Sequence, residues 1–101
     1  MLFPVGKAPA PRRFRNAAGP QIARVRGERN LTQEELATKL QVAGLDLDRI
    51  AVAKIEARIR SVFDYELAVI AYLLAVPTDE LLPKKSPLTK LLPSLQRGHV
   101  G

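Results

Sequence analysis

From Leu67 to Val76 the chain carries ten consecutive apolar residues, with no charge and a single hydroxyl, that of Tyr72. The stretch is about half of the roughly twenty residues needed to cross a bilayer, and it is too uniformly apolar for a surface helix with one wet face. It predicts a helix from Tyr65 to about Ala75, capped by Asp64, that is either central to a core or covered by a second subunit. The remaining elements must be arranged around it.

With 101 residues, the chain has room for one modest domain and none for a separate catalytic unit. It contains no cysteine, which excludes disulfides and thiolate zinc modules, so the fold must rest on packing alone. Aromatic residues make up only 5% of a composition that is 47% hydrophobic, so that packing must be aliphatic.

Helix signals recur upstream of the apolar stretch. Pro20 suits a first helical turn, and Ile22 and Val25 share one face of the basic segment Gln21 to Arg29, which Asn30-Leu31 ends. Thr32-Gln33-Glu34-Glu35 reads as a capping box that opens a second helix, with Leu36, Ala37 and Leu40 inward and Gly44 as a left-handed stop. After the connector Leu45-Asp46-Leu47, Asp48 caps a third helix, Arg49 to about Ala57, with Val52, Ile55 and Ile59 inward. That leaves Arg49, Ile50, Ala53 and Lys54 outward and Ala51 at the edge, a small-residue face flanked by cations. Thr78-Asp79-Glu80 opens a last short helix that Pro83 ends.

The two ends read differently. Pro4, Pro9 and Pro11 predict a flexible basic arm over residues 1–18, followed by a helical domain over 19–83. Residues 84–101 are expected to form a flexible tail: Leu88, Leu91, Leu92 and Leu95 have helical spacing, but Pro93 interrupts it. Partner-induced ordering of this tail is a second possibility.

Charge follows the same division. The net charge is +6: residues 1–30 hold seven bases against one acid, 31–60 balance, 61–82 hold four acids and no base, and 83–101 hold four bases and no acid. A domain with one basic and one acidic end can be oriented by a polyanion, although basic ends also serve solubility.

Taken in order, Gln33-Glu34-Glu35-Leu36-Ala37, Val52-Ala53-Lys54-Ile55-Glu56 and Leu67-Ala68-Val69-Ile70-Ala71-Tyr72-Leu73-Leu74-Ala75-Val76-Pro77 resemble the Cro/repressor helix-turn-helix (XRE) family. The resemblance runs from about Ile22 to Leu82. It implies an all-α, compact five-helix repressor-like bundle in which the second and third helices form the motif and the third enters the major groove. On that basis the chain is expected to be a sequence-specific double-stranded DNA-binding transcriptional regulator, a repressor, acting as a homodimer in the cytoplasm. The alternative is an antitoxin or bridging-factor-like module whose partner is a toxin or the transcription machinery.

The resemblance also assigns residues. Gln33 would contact a phosphate or a base edge, and Arg49, Ile50, Ala51, Ala53 and Lys54 would face the bases. Glu56 matches a bracing position. Arg58, where the family commonly has glycine, and Arg60 are phosphate contacts or else solvated surface arginines. Outside the span of the resemblance, Arg12, Arg13 and Arg15 of the basic arm either enter the minor groove, as some homeodomain arms do, or belong to a solubilising tail. The connector before Asp48 is longer than that of the simplest phage repressors.

Catalysis is not expected. His99 is the only histidine, serines occur only at 61, 86 and 94, and no glycine-rich phosphate loop is present. The acid pairs Glu34/Glu35 and Asp79/Glu80 lie in first helical turns, where the helix dipole accounts for them. No cofactor, metal or membrane partner is expected, and Met1 to Val5 is too short an apolar start for a signal-peptide core.

Overall fold

The computed structural model describes residues 14–99. They form an all-α bundle: α1 (Gly19–Glu28), α2 (Gln33–Val42), α3 (Arg49–Glu56) and α4 (Asp64–Leu74), then a 3-10 turn over Thr78–Leu81 and a last helix, α5 (Lys85–His99). α1 packs on α3, α4 and the 3-10 turn, α2 packs on α3 and α4, and the turn lies against α4.

The helix starts follow local chemistry. The Thr32 hydroxyl accepts from the Glu35 N–H at 3.0 Å while the Glu35 carboxylate accepts from the Thr32 N–H at 2.8 Å, closing the capping box. Asp48 caps α3 by accepting from the Ala51 N–H at 2.8 Å. At α4 the cap falls one residue earlier than expected, at Phe63, whose N–H donates to Glu66 at 2.9 Å; Asp64 is the first helical residue.

All four bundle helices end in one way. Asn30, Gly44, Arg58 and Ala75 each adopt positive φ. The residue after each donates its N–H back five positions: Leu31 to Arg26, Leu45 to Leu40, Ile59 to Lys54 and Val76 to Ala71, at 2.9 to 3.1 Å. These are Schellman closures, which satisfy carbonyls that the last helical turn leaves open. Only one of the four uses glycine. Arg58 adopts the left-handed conformation without it.

The core is aliphatic, as the composition requires. Ile22 and Val25 of α1, Leu36, Ala37 and Leu40 of α2, Val52 and Ile55 of α3, Leu67, Ile70, Ala71 and Leu74 of α4, and Leu47, Leu81 and Ala18 are buried together. Each fully buried leucine or isoleucine stabilises the fold by about 1.5–3 kcal/mol relative to exposure. α4 is central, yet its outward side, Ala68 and Tyr72, stays open to solvent. Arg29 fastens its end: Nε donates to the Leu74 carbonyl at 2.7 Å and Nη2 to that of Ala75 at 3.3 Å.

Three expectations are corrected. Ile59 does not continue the inner row of α3 but is half exposed, because the left-handed Arg58 breaks the helical period just before it. Residues 14–18 are not part of a loose arm: Asn16 and Ala18 are buried against the body. The tail is helical over Lys85–His99, because good helix formers and leucines at helical spacing outweigh the one hydrogen bond that Pro93 cannot donate. The short helix expected from Thr78 is present, as a single 3-10 turn over Thr78–Leu81.

Candidate nucleic-acid interface

α3 presents two unlike sides. Val52 and Ile55 are buried, whereas Arg49, Ile50 and Lys54 are exposed and Ala51 and Ala53 half exposed. The bundle holds the helix by its inner row and leaves Arg49, Ile50 and Lys54 open to solvent.

Glu56, at the last turn of α3, fixes the helix against its neighbours. Its carboxylate takes Arg26 of α1 at two points, Nε at 2.6 Å and Nη2 at 3.0 Å, and the Gln33 amide of α2 at 2.9 Å. Arg26 Nη1 also donates to the Leu31 carbonyl at 2.7 Å. One carboxylate therefore sets the relative pose of α1, α2 and α3. Gln33, expected at a phosphate or base edge, starts α2 beside this pair. Its amide keeps its second N–H and its carbonyl oxygen for other partners.

Arg58 and Arg60, expected as phosphate contacts, both have partners within the chain. The Arg58 guanidinium carbon lies 3.7 Å from the centroid of the Phe14 ring. Such stacking uses the planar face and leaves the N–H edge free to donate. Arg60 pairs with Glu66 at 3.0 and 3.1 Å and donates to the Ser61 carbonyl at 2.7 Å. Burial raises the Glu66 carboxyl, but hydrogen bonds from Arg60 and the Phe63 N–H, with the Arg60 charge, outweigh it and hold the group below its ordinary value.

Asn16 is 7% exposed and ties the segment before α1 to the exit of α3. Its Nδ2 donates to the Ile55 carbonyl at 3.1 Å and the Arg60 carbonyl at 2.7 Å, and its Oδ1 accepts from the Gly19 N–H at 2.7 Å. The Arg15 N–H adds a bond to the Arg58 carbonyl at 2.8 Å. Arg15 is therefore held at the end of α3, while Arg12 and Arg13 lie outside the described residues.

Neither Asn16 nor the structural roles of Phe14 and Arg26 were singled out from the sequence. Asn16 carried a signal nonetheless, an amide a few residues before a proline that opens a helix. The Phe14 stack had no local signature. Among the described residues no three acidic or histidine side chains converge as a metal site requires, and no helix is long and apolar enough to cross a membrane.

Two solved structures share this architecture. The DNA-binding domain of BldD superposes with a TM-score of 0.59 at 26% identity, over 69% of this chain and 94% of that one. A hypothetical transcription factor from Neisseria, NHTF, superposes with a TM-score of 0.59 at 24% identity, over 90% of this chain and 99% of that one. The likeness establishes the all-α bundle as a fold shared with a DNA-binding domain. No family model matches the sequence, and no curated protein matches it.

Proposed function

We propose that this chain is a sequence-specific duplex-DNA-binding transcriptional regulator, a repressor acting in the cytoplasm, that reads the major groove with α3. One observation carries the reading: α3 is secured by Val52, Ile55 and Glu56 while Arg49, Ile50 and Lys54 are exposed, Ala53 is half exposed beside them, and Ala51 lies at the edge, partly packed on the core. The similarity to the BldD DNA-binding domain supports it.

In this reading Arg49 donates two hydrogen bonds to guanine O6 and N7, and Lys54 reaches a guanine or a phosphate. Ile50 and Ala51 touch thymine methyl groups, and Ala53 lets the helix approach closely. Gln33 donates to a phosphate or a base edge. Arg58 and, more weakly, Arg60 contact phosphates with the N–H groups their internal partners leave over. Arg15, with Arg12 and Arg13 ahead of it, reaches the minor groove.

A good bidentate contact gives about 1–3 kcal/mol of discrimination, too little from one helix for a unique site. The chain therefore acts as a homodimer on two half-sites. The outward side of α4 and the leucine side of α5 are the apolar surfaces a second copy would cover.

The test is a fluorescence titration of the full chain with a selected duplex and scrambled duplexes. Arg49→Ala relaxes sequence preference, whereas Arg58→Ala weakens all duplexes alike and lowers the salt slope by about 1. An Arg49→Ala variant that keeps its full preference removes α3 as the reader.

A second reading draws on α5, which takes at most a marginal part in the bundle contacts and leaves Leu92 exposed. In an antitoxin or bridging factor this helix would engage a toxin or the transcription machinery. Capture of such a partner by residues 84–101, with no DNA affinity above background, would establish that reading instead.

A further inference from the structure

The four Schellman closures place four aliphatic residues in equivalent positions: Leu31, Leu45, Ile59 and Val76. Such a residue ordinarily folds back on its own helix or the core, and Leu31, Leu45 and Val76 do pack against the core. Ile59 is the exception, 51% exposed. It faces a concavity bounded by the outer side of α3, whose lining also includes Asp48, Ile50, Ala51, Lys54 and Arg60. Ile50, 53% exposed, is the other large aliphatic group there.

The polar groups around this hollow restrict what can enter it. Lys54 and Arg60 are cationic, and the one acid, Asp48, already accepts from the Ala51 N–H. The site is thus apolar within, with Lys54 as the rim cation that has no acid partner among the described residues, Arg60 being paired with Glu66, and it adjoins the side of α3 assigned to the bases. A thymine in the major groove presents a methyl group beside a phosphate backbone, the matching combination.

We infer that Ile59 is a specificity-determining residue that, together with Ile50, receives the 5-methyl group of a thymine. The inference rests on the proposed reading of duplex DNA by α3 and adds to it a contact from outside that helix.

The experiment first selects a preferred duplex with the full chain, then replaces each of its thymines singly by uracil, which lacks the methyl group. At one position or more, uracil weakens wild-type binding about fourfold, the equivalent of one buried methyl. Ile59→Ala weakens the thymine duplex by a similar factor and abolishes the thymine-over-uracil difference at one of those positions, while Ile59→Val keeps part of it. Thermal melting of each variant shows that the bundle is intact. If a site is selected but the difference at every thymine survives in Ile59→Ala, or no uracil matters, or Ile59→Ala alters only the oligomeric state, this assignment fails and the reading by α3 stands. If no sequence is selected at all, both fail.

Discussion

Arg26 and Glu56 meet across α1 and α3 in a two-point ion pair, and the same carboxylate accepts the Gln33 amide from α2. Their side chains are 19% and 7% exposed, so the pair is sheltered and its loss strands donors in a partly dry site. Glu56→Ala is expected to lower stability by about 2–4 kcal/mol. Gln33→Ala, which removes one neutral donor, costs about 1 kcal/mol. Urea denaturation of the two variants checks this order, and equal losses would show that the carboxylate is not the hub.

Asn16 satisfies two carbonyls and one N–H that no other described side chain serves. Asn16→Ala therefore destabilises the bundle by about 2 kcal/mol. Asn16→Asp is worse at neutral pH, since a carboxylate would face the Ile55 and Arg60 carbonyls. Hydrogen exchange should show the early opening at the start of α1 and the end of α3 together.

Two glycines of α1 should respond with opposite signs to alanine. A Cβ at Gly19 would collide with the main-chain oxygens of Ile55 and Glu56, the latter at 2.8 Å, so Gly19→Ala costs about 1–3 kcal/mol. A Cβ at Gly27 meets nothing within 4 Å, so Gly27→Ala stabilises by about 0.5–1 kcal/mol through helix propensity. At the end of α4, Ala75→Gly relieves a φ of 60° and gains about 0.5–1 kcal/mol. Thermal melts read all three.

Glu66 supplies a pH dependence. Its folded carboxyl titrates below the unfolded value of about 4.3, so its contribution is fully present above that pH and is lost as pH falls through the lower folded value. Glu66→Gln should be less stable than wild type at pH 7, with the gap closing in acid. A gap that widened below pH 4 would contradict the assignment.

Phe14 and Arg58 are predicted to be coupled. In a double-mutant cycle the two alanine substitutions fall short of additivity by about 0.5–1 kcal/mol, the range of a partly exposed cation–π contact. A coupling near zero would leave the stack without energetic weight.

The parts legible in the sequence are those set by local chemistry. The Thr32/Glu35 box and the Asp48 cap follow from side chains within three residues of the N–H they serve, and the inner rows of α1 and α2 follow from helical period alone. Ile59 was misplaced because the period was extended past Arg58, where glycine is the usual sign of a left-handed turn and arginine gives none. Asn16 and Phe14 act on residues some forty positions away, a separation that no window of sequence spans. Pro93 was given more weight than the leucines around it, and α5 resulted. Which side of α3 faces away was legible from Val52 and Ile55; its bracing partner Arg26 was not.

The division of labour on α3 also bears on how such a chain can change. Its inner row and its last-turn carboxylate answer to the scaffold, while Arg49, Ile50 and Lys54 are exposed and make no side-chain hydrogen bond or ion pair among the described residues. Those positions can be rewritten, a few codons at a time, with the architecture left intact. On the proposed reading of DNA by α3, a lineage built on this bundle can therefore be readdressed to new targets without first having to learn again how to fold.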